Sequence, residues 1–348
     1  MIFTKQNIRL ISSVLIISIL LSTSIVNVKS SNTDKQEKYA ILINATYGTG
    51  TNYISFEYTE ENRTQSYKWN LIDMSRYYNA FKELGYDDEH IIILFTKIND
   101  YPTPNDIDFN DSFFEKIDGP SNKINIIKNF KKLRSLDEND QVFIMFIGHG
   151  LDGRYFLNQL LKREDTDGIK AHNTFFALEP RFNYIYKNIF KYQFTFYRIF
   201  FPYCAFWDYE LALYTKFIKS KIIFLFGSCN SGGFINDLSS EKNNRIIITA
   251  SRENELADVF LPAFRWATIG YREPNNEIID ADFNNDTMIS VSEAYIYAAQ
   301  YAYKFGKLGT QHALLDDNGD KIGHFYNETG FNQDEIGMDG HISSDTFL

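Results

Sequence analysis

Cysteine is scarce in this chain of 348 residues, which contains only Cys204 and Cys229. Two cysteines cannot build the network of disulfides that stabilises many small secreted domains, so a hydrophobic core must hold the fold together. A single bond between Cys204 and Cys229 is an alternative in an oxidising compartment, and it would consume both thiols.

Basic residues are outnumbered as well, with 35 Lys and Arg against 45 Asp and Glu, a formal net charge of −10 and a pI near 5.2. Nucleic acid is therefore not an expected partner, because its phosphates need a basic surface. Apolar residues make up 44% of the chain and charged residues 23%, which is typical of a globular protein. The length suits one large domain, or one domain with an appendage.

The N-terminus has the pattern of an export signal. Lys5 and Arg9 precede and flank an apolar run over residues 10–28, and Val28-Lys29-Ser30 offers a cleavage site. We interpret residues 1–30 as a signal peptide, which predicts a secreted or extracytoplasmic protein. The alternative is an uncleaved anchor that contacts the membrane through residues 10–28, since this run is nearly long enough to span a bilayer.

The mature chain alternates strand patterns with helix patterns. Runs rich in Ile, Val and Phe predict strands buried on both faces, at residues 39–44, 90–95, 141–147, 221–226 and 245–249. Amphipathic patterns predict helices at residues 70–84, 121–134 and 209–218, and polar stretches at 49–66 and 97–119 predict surface loops. The order predicts an α/β fold, an open, mostly parallel sheet with helices on both faces.

Two glycine-rich motifs follow predicted strands, at residues 146–150 and 226–233. Because parallel strands end at the same edge of a sheet, the motifs predict that His149 lies near Cys229 and acts as the base for this nucleophile. The neighbouring glycines permit sharp turns and leave backbone N–H groups free to face a substrate oxygen. The simpler interpretation of each residue alone is a small buried Cys229 and a turn histidine at 149.

The order of these motifs resembles that of the caspase-like cysteine peptidases, in the branch of legumain and the glycosylphosphatidylinositol transamidase. The likeness rests on His149-Gly150, on Ser228-Cys229-Asn230-Ser231-Gly232-Gly233 and on Ile248-Thr249-Ala250-Ser251, each at the end of a predicted strand. It also covers residues 73–94, and it extends more loosely to about residue 323.

This resemblance implies a caspase-like catalytic domain over residues 38–275 and a cysteine endopeptidase that cleaves polypeptide substrates through a thioester. His149 would activate Cys229, and the N–H groups of Gly150 and Cys229 would form the oxyanion hole. No organic cofactor is implied. Transfer to an amine, as in a transamidase or transpeptidase, is one alternative. A catalytically idle module that binds proteins or depends on calcium is the other.

Two departures from the family pattern leave the P1 preference open. Legumain has an acid two positions before its nucleophile, where this chain has Gly227, and legumain's arginine and histidine before the first helix correspond to Trp69 and Asn70. Four acidic residues either line a pocket for a basic P1 side chain or are solvated and capping carboxylates: Asp73, Glu253, Glu255 and Asp258.

The C-terminal segment, residues 276–348, contains an EF-hand-like loop over residues 282–293. Its spacing predicts a structural calcium ion held by Asp282, Asn284, Asp286, the Met288 carbonyl, Ser290 and Glu293. Thr287 stands where the usual loop has a glycine with positive φ. The alternative is an acidic turn in which Ser290 and Glu293 form a helix-capping box.

A second acidic turn, residues 316–320, lacks a carboxylate at position 12 and is interpreted as a loop. His312 and His324 flank it, and either would complete a triad with Cys229 and an intervening acid in an α/β-hydrolase. That fold requires glycine two positions after the nucleophile, where this chain has Ser231, so it is disfavoured.

An aromatic insertion near residues 173–206 separates His149 from Cys229 by about twice the legumain interval. We interpret it as a local helical insertion that packs on the core. The alternatives are a lid over the substrate, or a segment that meets anionic lipid through Arg181, Lys187, Lys191 and Arg198. Residues 162–167 are strongly charged and are either a cleavable linker or a solvated loop.

Overall fold

The computed structural model describes residues 36–45, 60–95, 111–152, 174–177, 205–240, 244–307, 310–326 and 339–348. The chain from Gln36 to Leu348 forms one compact unit, and the predicted signal peptide lies outside the described residues. Among the helices that the structure describes, none has the length and apolar character needed to cross a membrane.

The strands are β1 (Lys38–Ala45), β2 (Ile91–Leu94), β3 (Gln141–Gly148), β4 (Gly150–Asp152), β5 (Thr174–Ala177), β6 (Ala205–Trp207), β7 (Lys221–Gly227), β8 (Arg245–Thr249), β9 (Tyr271–Arg272), β10 (Glu277–Ile278) and β11 (Leu314–Asp316). The helices are α1 (Glu60–Glu83), α2 (Lys123–Lys132), α3 (Asp208–Thr215), α4 (Ile235–Leu238), α5 (Phe260–Ile269), α6 (Val291–Phe305) and α7 (His341–Ser344).

A six-stranded sheet with the order β11-β8-β7-β3-β1-β2 forms the centre of the molecule. The five strands from β8 through β7, β3 and β1 to β2 are parallel to one another. The sixth strand, β11, runs antiparallel to β8. The predicted α/β fold with a mostly parallel sheet is therefore confirmed. All five predicted strands are present, with bounds that differ by at most one residue at either end.

Helices cover both faces of this sheet, which explains the nearly continuous apolar runs of its strands. In β1, Ala40 and Leu42 pack on one face with α1, α5 and α6, whereas Ile41 and Ile43 pack on the other face with α2, α3 and α4. Since alternate residues enter two different cores, neither side of the strand can be polar. The result is a three-layer arrangement.

Several elements differ from the sequence-based expectations. Helix α1 begins at Glu60, so residues 60–66 of the predicted loop are helical; this first part of the helix is polar and has no apolar periodicity to reveal it. Residues 111–116 of the other predicted loop form a 3₁₀ helix. Helix α5 and strand β11 were not predicted, and helix α6 follows the acidic loop at residues 282–293.

The described ends of the aromatic insertion are strands, not helices. Strands β5 and β6 pair antiparallel with each other, and β5 pairs with β4, the strand that begins directly after His149. The expectation of a helical insertion is wrong for residues 174–177 and 205–207, where aromatic side chains favour the extended chain. Residues 178–204, with the four basic residues proposed to meet lipid, and the charged segment 162–167 lie outside the described residues.

A fully buried arginine joins α5 to α1. The guanidinium of Arg265 lies 3.0 Å from Glu273 and 3.4 Å from Asp73, and it stands 5.4 Å from the centre of the Tyr77 ring. Asp73, which the sequence offered as a P1-pocket or solvated carboxylate, is instead committed to this ion pair. Removal of the arginine or of one of the carboxylates would therefore leave a buried charge without its full complement of partners, which destabilises the fold.

Replacement of Arg265 by methionine should lower the free energy of unfolding by about 3 kcal/mol, because two carboxylates lose their buried counter-ion. Urea denaturation measures this change. Arg272→Met is the matched control, since Arg272 is 43% exposed and lies 3.7 Å from Glu277; its cost should be below about 1 kcal/mol. Equal costs for the two variants would contradict a special role for the buried network.

Candidate active site

Strands β3 and β7 bring the two predicted catalytic motifs to one edge of the sheet. Ile147 pairs with Gly227 in parallel register, so His149 and Cys229 each stand two positions beyond a paired residue. The backbone of Gly150 then lies directly against the Cys229 carbonyl and the Ser228 side chain, where a Cβ atom at position 150 would overlap both. The turn that carries His149 is therefore in contact with the turn that carries Cys229.

The chain turns sharply just after Cys229. Asn230 adopts the left-handed conformation with φ 59°, which asparagine tolerates better than most residues. Its backbone N–H donates to the Glu255 carbonyl at 2.8 Å and its side-chain amide donates to the Glu253 carbonyl at 2.7 Å. A Cβ atom on Gly232 would come within 2.8 Å of the Glu253 nitrogen, so this glycine permits the close approach of the two segments.

The Cys229 side chain is a free thiol that contacts Ala257. The Ala257 N–H donates to the sulfur at 3.3 Å, and the sulfur lies 3.9 Å from the Ala257 carbonyl oxygen. The alternative Cys204–Cys229 disulfide is thus not formed, although Cys204 itself lies outside the described residues. Burial raises the pKa of the Cys229 thiol, and the Ala257 N–H opposes this rise.

Burial acts on the histidine in the opposite direction and lowers the pKa of His149 to about 4. The raised pKa of the thiol and the lowered pKa of the imidazole mean that both groups are neutral at pH 7. Desolvation favours the uncharged form of each group, so neither the thiolate nor the imidazolium is the resting form. A neutral imidazole is still the form that can accept a proton.

Two residues at this edge, Asn44 and Ser228, were not singled out from the sequence. Asn44, the last residue but one of β1, has no exposed surface, pairs in register with Ile147 and accepts a hydrogen bond from Asn70 at 3.1 Å. Ser228 is 1% exposed, and its hydroxyl has no hydrogen-bond partner among the described residues. The only sequence signals for them were a polar residue that ends an apolar strand and a serine adjacent to the nucleophile.

The proposed oxyanion donors occupy distinct positions. Gly150 pairs with Phe176 at the start of β4, and the preceding Gly148 has φ 123°, a conformation that only glycine adopts readily. Cys229 begins the turn that leads into the 3₁₀ helix Ser231–Phe234. Both backbones therefore lie at the junction of β3, β7 and the small sheet.

The structure leaves no space for a side chain at Gly227, the position at which legumain has an acidic residue. A Cβ atom on Gly227 would overlap the side chain of Leu261, which is 3% exposed and fills the space beside β7. A carboxylate at position 227 has no room here. Trp69, which corresponds to a pocket position of legumain, is 61% exposed, and the side chain of Asn70 donates a hydrogen bond to that of Asn44. Neither arrangement reproduces the asparagine pocket of legumain.

Two of the remaining acidic candidates are engaged by backbone groups. Asp258 accepts hydrogen bonds from the N–H groups of Val259 and Lys307. Glu255 accepts from the N–H groups of Arg252 and His312, and one of its oxygens lies 2.6 Å from Nδ1 of His312. Both carboxylates accept backbone N–H groups, as capping carboxylates do, and each one stabilises a turn.

The histidines of the α/β-hydrolase alternative are both paired with carboxylates. Nδ1 of His312 lies 2.6 Å from the carboxylate of Glu255, and Nδ1 of His324 lies 2.6 Å from the carboxylate of Asp339. Positive φ falls on Asn230 and not on Cys229, whereas a nucleophile elbow strains the nucleophile itself. The geometry therefore favours His149 on the neighbouring strand as the base.

The loop predicted to bind calcium is closed by internal hydrogen bonds. Glu293 is 5% exposed, and its carboxylate accepts from the N–H groups of Phe283, Asn284 and Ser290 and from the Ser290 hydroxyl. Ser290 in turn accepts from the Glu293 N–H, so the capping box of α6 is formed.

The other predicted ligands make short contacts within the same loop. Asp282, Asn284 and Asp286 accept from backbone N–H groups at 2.8–3.1 Å. Thr287 has φ 73°, the positive value that this position needs, and Met288 is 51% exposed. In the described ranges no group of three or more His, Cys, Asp or Glu side chains is arranged to hold a metal ion, and calcium stays a prediction.

The second acidic turn anchors the C-terminal residues. Asp317 is 1% exposed and accepts from the N–H groups of Gly340 and Ser343 at 2.8 Å. Burial raises the pKa of the neighbouring Asp316 to about 6. These contacts give the turn a structural role, in agreement with its interpretation as a loop.

No known protein-family model matches this sequence, and no curated protein matches it at a significant level. The functional argument for this chain therefore rests on its own residues and their geometry.

Acid should destabilise the protein partly through His149. Its folded-state pKa of about 4 lies below the ordinary 6.5, so the unfolded chain binds the proton first and stability falls as pH drops from about 6.5 to about 4. His149→Gln should remove up to about 3 kcal/mol of this loss, since each unit of pKa shift corresponds to about 1.4 kcal/mol. Urea denaturation at pH 7 and 4.5 measures it, and parallel pH curves for the two proteins would contradict the assignment.

Proposed function

We propose that this protein is an exported cysteine endopeptidase of the caspase-like type that acts on polypeptides. The observation that carries the proposal is the contact of Gly150 with Ser228 and Cys229, which follows from the parallel register of β3 and β7. A base-bearing turn and a thiol-bearing turn that meet at a sheet edge provide the two groups that nucleophilic acyl transfer needs.

In the proposed mechanism the resting pair is neutral. As the sulfur of Cys229 attacks the substrate carbonyl, Nδ1 or Nε2 of His149 takes the thiol proton, and the imidazolium then gives this proton to the leaving amine. The N–H groups of Gly150 and Cys229 stabilise the oxyanion, and water hydrolyses the thioester. Asn44, buried at the end of β1, is a candidate to orient the imidazole.

A catalytically idle protein-binding module is a second candidate, and one observation favours it. The raised pKa of Cys229 and the lowered pKa of His149 mean that the thiol is not preformed as a thiolate. Such a thiol reacts slowly with simple alkylating reagents whether or not the protein is an enzyme. Turnover of peptides, and not thiol reactivity alone, must distinguish the two functions.

Cleavage of a peptide library by the mature protein should stop completely in Cys229→Ala. It should slow by at least about 100-fold in kcat in His149→Gln, because general-base assistance is lost. Mass spectrometry of the products measures both effects and identifies the P1 residue. Cys204→Ala is the matched control and should retain activity. Turnover that survives in Cys229→Ala would reject the assignment, and absence of turnover in the wild type would favour the binding module.

A peptidase transfers the acyl group from the thioester to water, whereas a transamidase transfers it to an amine, so the two functions give different products. With hydroxylamine added during turnover, a peptidase should yield mostly free carboxylates, whereas an enzyme that excludes water would yield hydroxamates as its main product. The hydroxamate is heavier than the carboxylic acid by the mass of hydroxylamine less that of one water, so the same spectra decide the case.

We propose further that calcium binds the loop at residues 282–293, with the carboxylate of Glu293 exchanging its present donors for the ion. Calcium in large excess over its Kd should then raise the melting temperature above that in chelator, by mass action. Asp286→Ala should abolish this rise, since Asp286 is a predicted ligand but not part of the capping box. An equal melting temperature with calcium and with chelator would remove the ion from the proposal.

A further inference from the structure

Among the described residues, the sulfur of Cys229 has its hydrogen-bond contacts with one segment, the nucleophile-contact loop, residues 250–259. This loop connects β8 to α5. Within it, the Ala257 N–H points at the sulfur at 3.3 Å, and the carbonyls of Glu253 and Glu255 accept hydrogen bonds from Asn230, the residue after the nucleophile. The position of the thiol therefore depends on the position of this loop.

The loop is fastened by its own carboxylate. Glu255 accepts the N–H of Arg252 at 3.3 Å, which closes the loop on itself, and the N–H of His312 at 3.0 Å, which ties the loop to the segment before β11. Its second oxygen lies 2.6 Å from Nδ1 of His312. Both side chains are largely buried, with exposed fractions of 18% and 19%, so solvent weakens this contact little.

Neighbouring contacts hold the same two segments together. Gln311 donates its side-chain amide to the Ala250 carbonyl at 2.7 Å and accepts the Asp258 N–H at 3.2 Å. The His312 ring packs edge-on against Phe325, with ring centres 4.8 Å apart. The imidazole is thus fixed by an aromatic ring on one side and by a carboxylate on the other.

We propose that Glu255 and His312 form a positioning pair that holds the Ala257 N–H against the sulfur of Cys229. The inference rests on the proposed function of Cys229 as a nucleophile and assigns no chemical step to the pair. A hydrogen-bond donor aimed at sulfur favours the thiolate over the thiol, so a loop held in this place supports the charge that develops when His149 takes the proton. Loss of the pair leaves the donor and the nucleophile free to separate.

The test measures the thiol and not peptide cleavage, so that it is independent of the proposed function. In a Cys204→Ala background, the rate of iodoacetamide labelling against pH reports the pKa of Cys229 alone. Glu255→Gln should raise that pKa and slow labelling at pH 7.5 about tenfold, which is the effect of weakening one hydrogen bond to a charged group. His312→Gln, the second variant, should act in the same direction.

The chain supplies a matched control in its other histidine–carboxylate pair. His324 and Asp339 have the same separation of 2.6 Å, and among the contacts of the described residues neither one joins the nucleophile-contact loop. Asp339→Asn removes the same type of contact and should leave the labelling profile of Cys229 unchanged, whatever its effect on the melting temperature. An equal shift in Asp339→Asn would overturn the proposal, because the effect would then reflect general destabilisation.

Two other results would also overturn it. One is a labelling profile in Glu255→Gln identical to that of the parent protein. The other is a loss of peptide turnover in His312→Gln as complete as in His149→Gln, with the thiol pKa unchanged, since His312 would then be the base itself. If the wild type cleaves no peptide, the proposed function fails while a shifted thiol pKa in Glu255→Gln still supports the positioning pair.

Discussion

The parallel pairing of β3 with β7 is the constraint on which the candidate site depends. Backbone hydrogen bonds along seven paired positions align the ends of the two strands, so that His149 and Cys229 leave the sheet side by side although eighty residues separate them in the chain. Glycine at position 150 then lets the first turn lie on the second, because any side chain there would displace the Cys229 carbonyl.

Desolvation is the second influence on this site, and it opposes a preformed ion pair. The same close packing that joins the two turns removes water from the thiol and from the imidazole, which favours the uncharged form of each. The nearby N–H of Ala257 is one of the few groups that favours the thiolate. The loop that carries this donor, and the Glu255–His312 pair that fastens it, therefore matter more here than in a site that stores a thiolate.

Specificity follows from what surrounds the nucleophile. Leu261 occupies the space beside Gly227, and Asp73 is bound by Arg265, so two potential pocket carboxylates are absent from the site. Trp69 and Leu256 are instead exposed apolar side chains, at 61% and 52% of their surface. The two motifs therefore specify the turns at this edge of the sheet and not the side chains around them.

The sequence by itself determined the five parallel strands of the central sheet and the two motifs, because long apolar runs and glycine-flanked polar residues are local signals. The residues 60–66 of α1 and the strands β5 and β6 escaped it, since polar helices and short aromatic segments carry no clear periodicity. Only the tertiary structure decided the partners of Glu255, His312 and Asp73. A carboxylate or an imidazole looks the same in sequence whether it is solvated or paired, and its partner lies 57 residues away for Glu255 and 192 for Asp73.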